Sequence, residues 1–327
     1  MVILVATWLQ VKYNPNRRFG RAYRLWALAG GFAVTWRRRL PAAKTSGLKV
    51  LNMWKRSYVA IALIAFAPVG LLRAAEDPPI QDNSFLIEEA YNQEQSVVQH
   101  INTFSRMWNS KDWSYTFTQE WPGPNWRHQF SYTLSAVHNG QFPGAGLGDI
   151  ILNYRYQLVG SGKNAVAFAP RFSLLLPTGN VGTGQGNGGI GVQANMPLSV
   201  VLHPRLVTHW NAGATFIPHA QSADHMHDGS IGYNFGQSFI ILAHSRVNLM
   251  LETAANAFQS VEGPQRTTWA RTLYVSPGIR WAYNFRSGLQ IVPGVAMPVG
   301  AGPSRGERGL FLYLSFEHPF RRLAEGR

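Results

Sequence analysis

Residues 126–138 read WRHQFSYTLSAVH. Trp126, Phe130, Tyr132, Leu134 and Ala136 fall on one side of an extended chain, and Arg127, Gln129, Ser131, Thr133 and Ser135 fall on the other. A period of two marks a strand, because successive side chains point to opposite faces. The same alternation runs through WSYTFTQEW (113–121), which sets Trp113, Tyr115, Phe117 and Trp121 against Ser114, Thr116, Thr118 and Glu120. It recurs in DIILNYRYQL (149–158), with Ile150, Leu152, Tyr154, Tyr156 and Leu158 opposite Asp149, Asn153, Arg155 and Gln157. Further segments near 96–106, 165–176, 190–202, 206–217, 230–243, 247–258, 271–283, 288–299 and 310–320 bring the expected count to twelve strands.

Three features turn this all-β chain toward a transmembrane, antiparallel up-and-down barrel rather than a soluble one. The strand count is even, as in bacterial outer-membrane barrels. From PGPN (122–125) onward, short and long connections alternate, the pattern of short periplasmic turns and longer outer loops. The polar faces also carry Glu120, Arg127, Asp149, Arg155, Arg171, Glu252, Arg280 and Glu317. A wet or polar lumen accepts such groups and lipid does not, so these eight are the candidate pore-lining residues. Trp113, Trp121, Trp126, Trp281 and Phe320 sit near strand ends, where interfacial aromatic girdles form. Pro170, Pro197, Pro277, Pro293 and Pro298 fall inside segments and point to bulges there.

Charge divides the chain. Of 30 Lys and Arg residues, 13 lie in residues 1–75, which hold no Asp or Glu; 17 then face all 16 acidic residues in the remainder. The body is near neutral, so the overall excess does not point to nucleic acid. With no cysteine, the chain has neither disulfides nor thiolate metal sites.

The stretch MWKRSYVAIALIAFAPVGLLRAAEDPP (53–79) has a basic start at Lys55 and Arg56, an apolar run from Tyr58 to Leu72, and small residues at Ala74 and Ala75. That is the layout of a secretory signal peptide. The run is shorter than the roughly 20 residues of a spanning helix. A single membrane anchor and an organelle transit peptide are the competing readings. The expected organisation is an over-extended leader at 1–52, a signal peptide at 53–75, a periplasmic segment at 76–95, a barrel at 96–320 and a tail at 321–327. Within the periplasmic segment, Ser84 is placed to cap a short helix with Phe85, Leu86 and Tyr91 on one side and Glu88, Glu89 and Glu94 on the other. That acidic stretch is also placed to reach the lumen arginines as a plug.

GAGLGDIILNYRYQL (144–158) and LLLPTGNVGTGQGNGG (174–189) resemble motifs of a bacterial outer-membrane family described as putative transporters of the meta-pathway of phenol degradation. The resemblance covers roughly residues 96–320. It implies a barrel that passes small, aromatic or hydrophobic molecules, and it brings no catalytic residues.

GNVGTGQGNGG lacks the Gly-Lys-Ser/Thr of a phosphate loop, and strand-like residues follow it. HAQSADHMHD clusters His219, Asp224, His225, His227 and Asp228, weak candidates for a divalent metal against a solvated loop. A lipid-hydrolysing barrel needs a Ser–His pair facing lipid. His128 lies on the apolar face, but the neighbouring segments place no Ser beside it. No cofactor and no enzyme activity are expected. The last segment, LFLYLSFEHPF (310–320), is similar to the C-terminal strand that barrel-assembly machinery reads. The expectation is therefore a channel in the bacterial outer membrane, with lipids and small solutes as its partners. A structural or adhesion barrel is the alternative, and whether the lumen is open or plugged is left open.

Overall fold

The computed structural model describes residues 83–320. The expected leader, signal peptide and C-terminal tail lie outside those residues. Twelve antiparallel strands follow one another round the barrel. They are β1 (Val97–Met107), β2 (Trp113–Pro122), β3 (His128–His138), β4 (Gly146–Leu147 and Ile150–Tyr156), β5 (Val166–Phe168 and Arg171–Leu176) and β6 (Gly191–Asn195 and Leu198–His203). The series continues with β7 (Leu206–Gln221), β8 (His227–His244), β9 (Val247–Gly263), β10 (Arg266–Trp281 and Tyr283–Asn284), β11 (Gln290–Ala296 and Val299–Gly300) and β12 (Gly309–Pro319). β12 pairs with β1 along its whole length, from Val97 opposite Pro319 to Met107 opposite Gly309. That ladder closes the sheet and leaves no edge.

The breaks within strands follow proline chemistry. Pro170, Pro197 and Pro298 stand between the two segments of β5, β6 and β11. Proline has no N–H to give the ladder. Pro277 and Pro293 stay in register, opposite Leu251 and Leu314. The Pro277 carbonyl accepts the Met297 N–H at 3.0 Å, so its donor-free nitrogen faces the gap in β11 beside Pro298.

Alternation puts the apolar side out. On β12, Phe311, Tyr313 and Ser315 are buried, while Leu312 is 42% exposed and Leu314 36%. On β3, Gln129, Ser131, Thr133 and Ser135 are buried, while Phe130 and Leu134 stand exposed. Phe172, Tyr233, Phe235, Phe239, Ile241 and Leu251 continue the outer belt. Water would penalise such a belt and lipid accommodates it.

The start of β1 (Val97) and the end of β12 (Pro319) meet at one end of the barrel, the terminal end; the opposite end is distal. Two expected long distal loops are mostly strand. β7 and β8 leave only residues 222–226 between them, and β9 and β10 leave only 264–265. These four strands run 16 to 18 residues, beyond the roughly 9–11 that cross a bilayer. Their distal ends continue as hairpins, which bring Ile217, Ala220 and Phe258 together with Leu175 in an apolar cluster. A strand outside the membrane needs no apolar face, so the alternation that marks strands fades there.

The expected helix at Ser84 does not form. Residues 83–95 run without helix or strand, and residues 83–91 are buried. They lie in the lumen, where Glu88 meets Arg155 and Arg171. Their backbone N–H groups bond to side chains of the barrel wall rather than to carbonyls four residues back.

Candidate functional site

The site is the lumen wall on the terminal side and the segment that lies across it. Its apolar end is seated first. The Phe85 ring lies 5.5 Å from that of Phe311 and 5.0 Å from that of Tyr313. Gly278 and Gly294 open the space: a Cβ at Gly278 would come within 3.0 Å of the Phe85 ring, and one at Gly294 would collide with it. Ile101, Ile240, Met250 and Val292 complete the patch, with Leu86 and Ile87 in the same cluster. These wall residues are apolar at positions where the inward face is otherwise polar.

Beside this patch, Glu252 is fully buried. Its Oε1 accepts the N–H groups of Phe85 (3.0 Å), Leu86 (2.8 Å) and Ile87 (3.2 Å). Three successive amides on one carboxylate oxygen form a compact anion nest. Ser84 Oγ donates to Ser238 Oγ at 2.7 Å.

The charged centre follows at Glu88. Arg171 Nε lies 2.9 Å from its Oε2, and Arg155 Nη1 lies 3.2 Å from its Oε1. Asn195 Nδ2 donates to Oε2 at 2.9 Å. Arg155 also donates to the carbonyls of Glu89 and Tyr91 and to Asn92 Oδ1. Burying these charges is costly, and the pairing offsets it only because each is surrounded by further hydrogen bonds.

Main-chain groups take the remaining wall contacts. The Glu88 N–H donates to Asn211 Oδ1 (2.8 Å), and the Ala90 N–H to Ser199 Oγ (2.8 Å). The Asn92 N–H donates to Gln157 Oε1 (2.9 Å), and the Gln93 N–H to Gln129 Oε1 (2.6 Å). In return, Asn211 Nδ2 donates to the Glu88 carbonyl at 2.7 Å, and Gln157 Nε2 to that of Ala90 at 2.8 Å. Gln93 Nε2 donates to Gln99, whose own Nε2 donates to Glu317.

Of the residues singled out from sequence, Arg155, Arg171 and Glu252 meet the segment directly. Glu120 accepts a bond from Gln129 Nε2 at 2.9 Å, and Glu317 joins through Gln99. Arg280 is buried on the inward face of β10. Arg127 departs from the expectation. It is exposed in the turn at 123–127 and lies over the Trp126 ring, because β3 starts at His128 and the alternation does not extend back to it. Asp149 sits at the break in β4 and serves a distal loop. Its carboxylate accepts the N–H groups of Gly179 and Asn187 and the Asn187 side-chain amide, at 2.8–2.9 Å. It thereby holds the Gly-rich loop 177–190. Nearby, burial pushes the Asp112 carboxyl above its ordinary range, against the Gly140 N–H that it accepts.

Among the described residues, no three His, Cys, Asp or Glu side chains come together as a metal site. His219, Asp224, His225, His227 and Asp228 are spread over the end of β7, the turn at 222–226 and the start of β8. His128 Nδ1 faces the Tyr154 hydroxyl at 2.7 Å, on the outer side. A Ser–His contact does exist inside, between Ser199 Oγ and His209 Nδ1 at 2.7 Å. Ser199 also receives the Ala90 amide, which makes the pair part of the wall that holds the segment.

Sequence reading by alternation finds the arginines but not Asn195, Asn211, Ser199, Gln157 or Gln129 as a set. The available signal was the apolar residues at inward positions: Ile101, Ile240, Met250, Val292 and Phe311. Apolar groups on a lumen face require a partner inside the lumen.

Neither any protein-family profile nor any curated protein matches the sequence. Solved structures do match. An outer membrane channel from Pseudomonas putida F1 is 12% identical with a TM-score of 0.51, over 70% of this chain and 97% of that one. The NanC porin is 10% identical with a TM-score of 0.46, over 66% of this chain and 98% of that one. The first likeness is one of fold: this chain shares the closed antiparallel barrel of that structure.

Proposed function

We propose that the protein is a channel of the bacterial outer membrane through which small molecules pass passively, and that residues 83–93 form its constriction. The terminal end faces the periplasm and the distal hairpins face outward. The observation that carries this reading is how the segment is held. It crosses a polar lumen on hydrogen bonds and ion pairs to wall side chains, contacts that water or a solute can replace. The likeness in fold to an outer-membrane channel supports it. The aromatic or hydrophobic solutes implied by the family resemblance are consistent with the seat that holds Phe85. Assembly through the β12 strand, with lipid around the outer belt, belongs to the same proposal.

One observation favours a second reading, a plugged structural barrel: residues 83–91 are buried across the lumen. Recording single-channel currents from the full chain and from a chain lacking residues 76–95 separates the two. The channel reading expects measurable conductance from the full chain and a severalfold rise on deletion. A full chain that carries no current, with conductance appearing only in the deletion, would favour the plugged barrel.

A further inference from the structure

We propose that the lumen wall is a binding site for extended peptides carrying an acidic residue, and that residues 83–93 are its built-in occupant. This deepens the channel reading above and rests on it for any role in transport.

The argument starts from what the wall recognises. Gln129, Gln157, Ser199, Asn211 and Glu252 each accept one or more main-chain N–H groups. Arg155, Gln157 and Asn211 donate to main-chain carbonyls. Five strands, β3, β4, β6, β7 and β9, thus supply partners for successive peptide units of one extended chain. A lumen filled only for bulk would pack side chain against side chain. Here most polar contacts fall on groups that every peptide possesses, the logic by which extended peptides are bound in register.

Selectivity enters at two places. Arg155, Arg171 and Asn195 form a carboxylate seat, taken by Glu88. Two guanidiniums converging on both oxygens favour a carboxylate strongly over a neutral group. Gly278, Gly294, Phe311 and Tyr313 form a ring seat, taken by Phe85. The two are three residues apart in sequence, so one short peptide reaches both. When the segment leaves, the buried acceptors and guanidiniums need replacement partners. A small carboxylate satisfies the seat alone; a peptide satisfies the seat and the acceptors together.

A tethered occupant competes at an effective concentration in the millimolar range, so the test weakens the occupant and leaves the wall intact. The full chain carrying Glu88→Gln and Phe85→Ala is purified in detergent and titrated with a fluorescent synthetic peptide spelling residues 83–95. Three comparisons accompany it: the peptide with glutamine at the position of Glu88, the peptide N-methylated at the positions of Glu88 and Ala90, and glutarate as competitor. Saturable binding of the parent peptide is expected, weakened at least tenfold by either change, with glutarate displacing it only weakly. Equal binding of the N-methylated peptide, displacement by glutarate as effective as by peptide, or no saturable binding up to millimolar peptide would each overturn the proposal. The assay requires no conductance. A barrel that binds peptide but passes no current removes the channel reading and keeps the site; one that conducts but binds no peptide does the reverse.

Discussion

Arg171 and Glu88 lie 83 positions apart in sequence, yet the Arg171 Nε stands 2.9 Å from the Glu88 Oε2 inside the barrel. The contact joins strand β5 to a segment that precedes the first strand. It shows how the segment is seated: a wall built by period-two alternation presents its charges to a chain that has no regular structure of its own. Breaking a buried pair from one side costs about 3–5 kcal/mol, because the remaining charge keeps its desolvation penalty. Because Glu88 keeps Arg155 and Asn195, Arg171→Met should cost the lower end of that range and raise the ratio of displaced to seated segment about a hundredfold. Limited proteolysis between residues 85 and 93 measures it, and unchanged cleavage would show that the pair does not hold the segment.

Glu252 anchors the other end. Glu252→Leu removes the acceptor shared by the amides of Phe85, Leu86 and Ile87, whereas Glu252→Gln keeps an oxygen there. A hydrogen bond to a charged group contributes about 1.5–3 kcal/mol. Hydrogen exchange at those three amides should accelerate about tenfold to a hundredfold in the leucine variant and much less in the glutamine one. Equal rates in both variants would contradict the nest.

Gly294 and Phe85 test the ring seat. A methyl group at Gly294 meets the Phe85 ring, so Gly294→Ala should unseat the segment by overpacking, at about 1–3 kcal/mol. Adding Phe85→Ala removes the collision. In the Phe85→Ala background, Gly294→Ala should therefore lower the thermal stability of the barrel much less than it does in the parent. A double-mutant cycle with no coupling between the two would mean that the ring sits elsewhere.

Asp149 tests the distal loop. Asp149→Ala leaves the N–H groups of Gly179 and Asn187 without their shared acceptor. The loop 177–190 should become severalfold more sensitive to protease, with cleavage of the segment at 83–93 unchanged. Parallel changes at both places would mean that loop and segment are coupled.

How much of this was legible in the sequence follows from what a period of two encodes. Ser131, Thr133 and Leu134 alternate because one face meets lipid and the other does not, and this fixes strand β3 to within two residues. The same constraint disappears beyond the membrane, so Val261 and Thr267 read as loop although they belong to the ladder of β9 and β10. The arginines at 155 and 171 stand out because charge on a strand face needs an explanation. The partner they meet does not stand out, because Phe85 to Tyr91 carry a mixed pattern that also suits a helix. Only the wall decides against it: Asn211, Ser199 and Gln157 offer the amides better placed partners than a short helix would.

The outer belt gives the sharpest test of the environment in which the barrel sits. Leu251 is exposed, four residues in from the terminal end of β9, and faces outward between Phe239 of β8 and Pro277 of β10. In a barrel surrounded by water, arginine at such a site would change stability by no more than about 0.5 kcal/mol. In lipid, arginine near the bilayer midplane costs about 2–4 kcal/mol. Asp224, in the exposed distal turn, is the control, because it lies beyond the belt in either case. Reversible denaturant titration in lipid vesicles should show Leu251→Arg destabilised by that larger amount and Asp224→Arg nearly unchanged. Equal effects at the two positions would mean that water rather than lipid surrounds the outer belt.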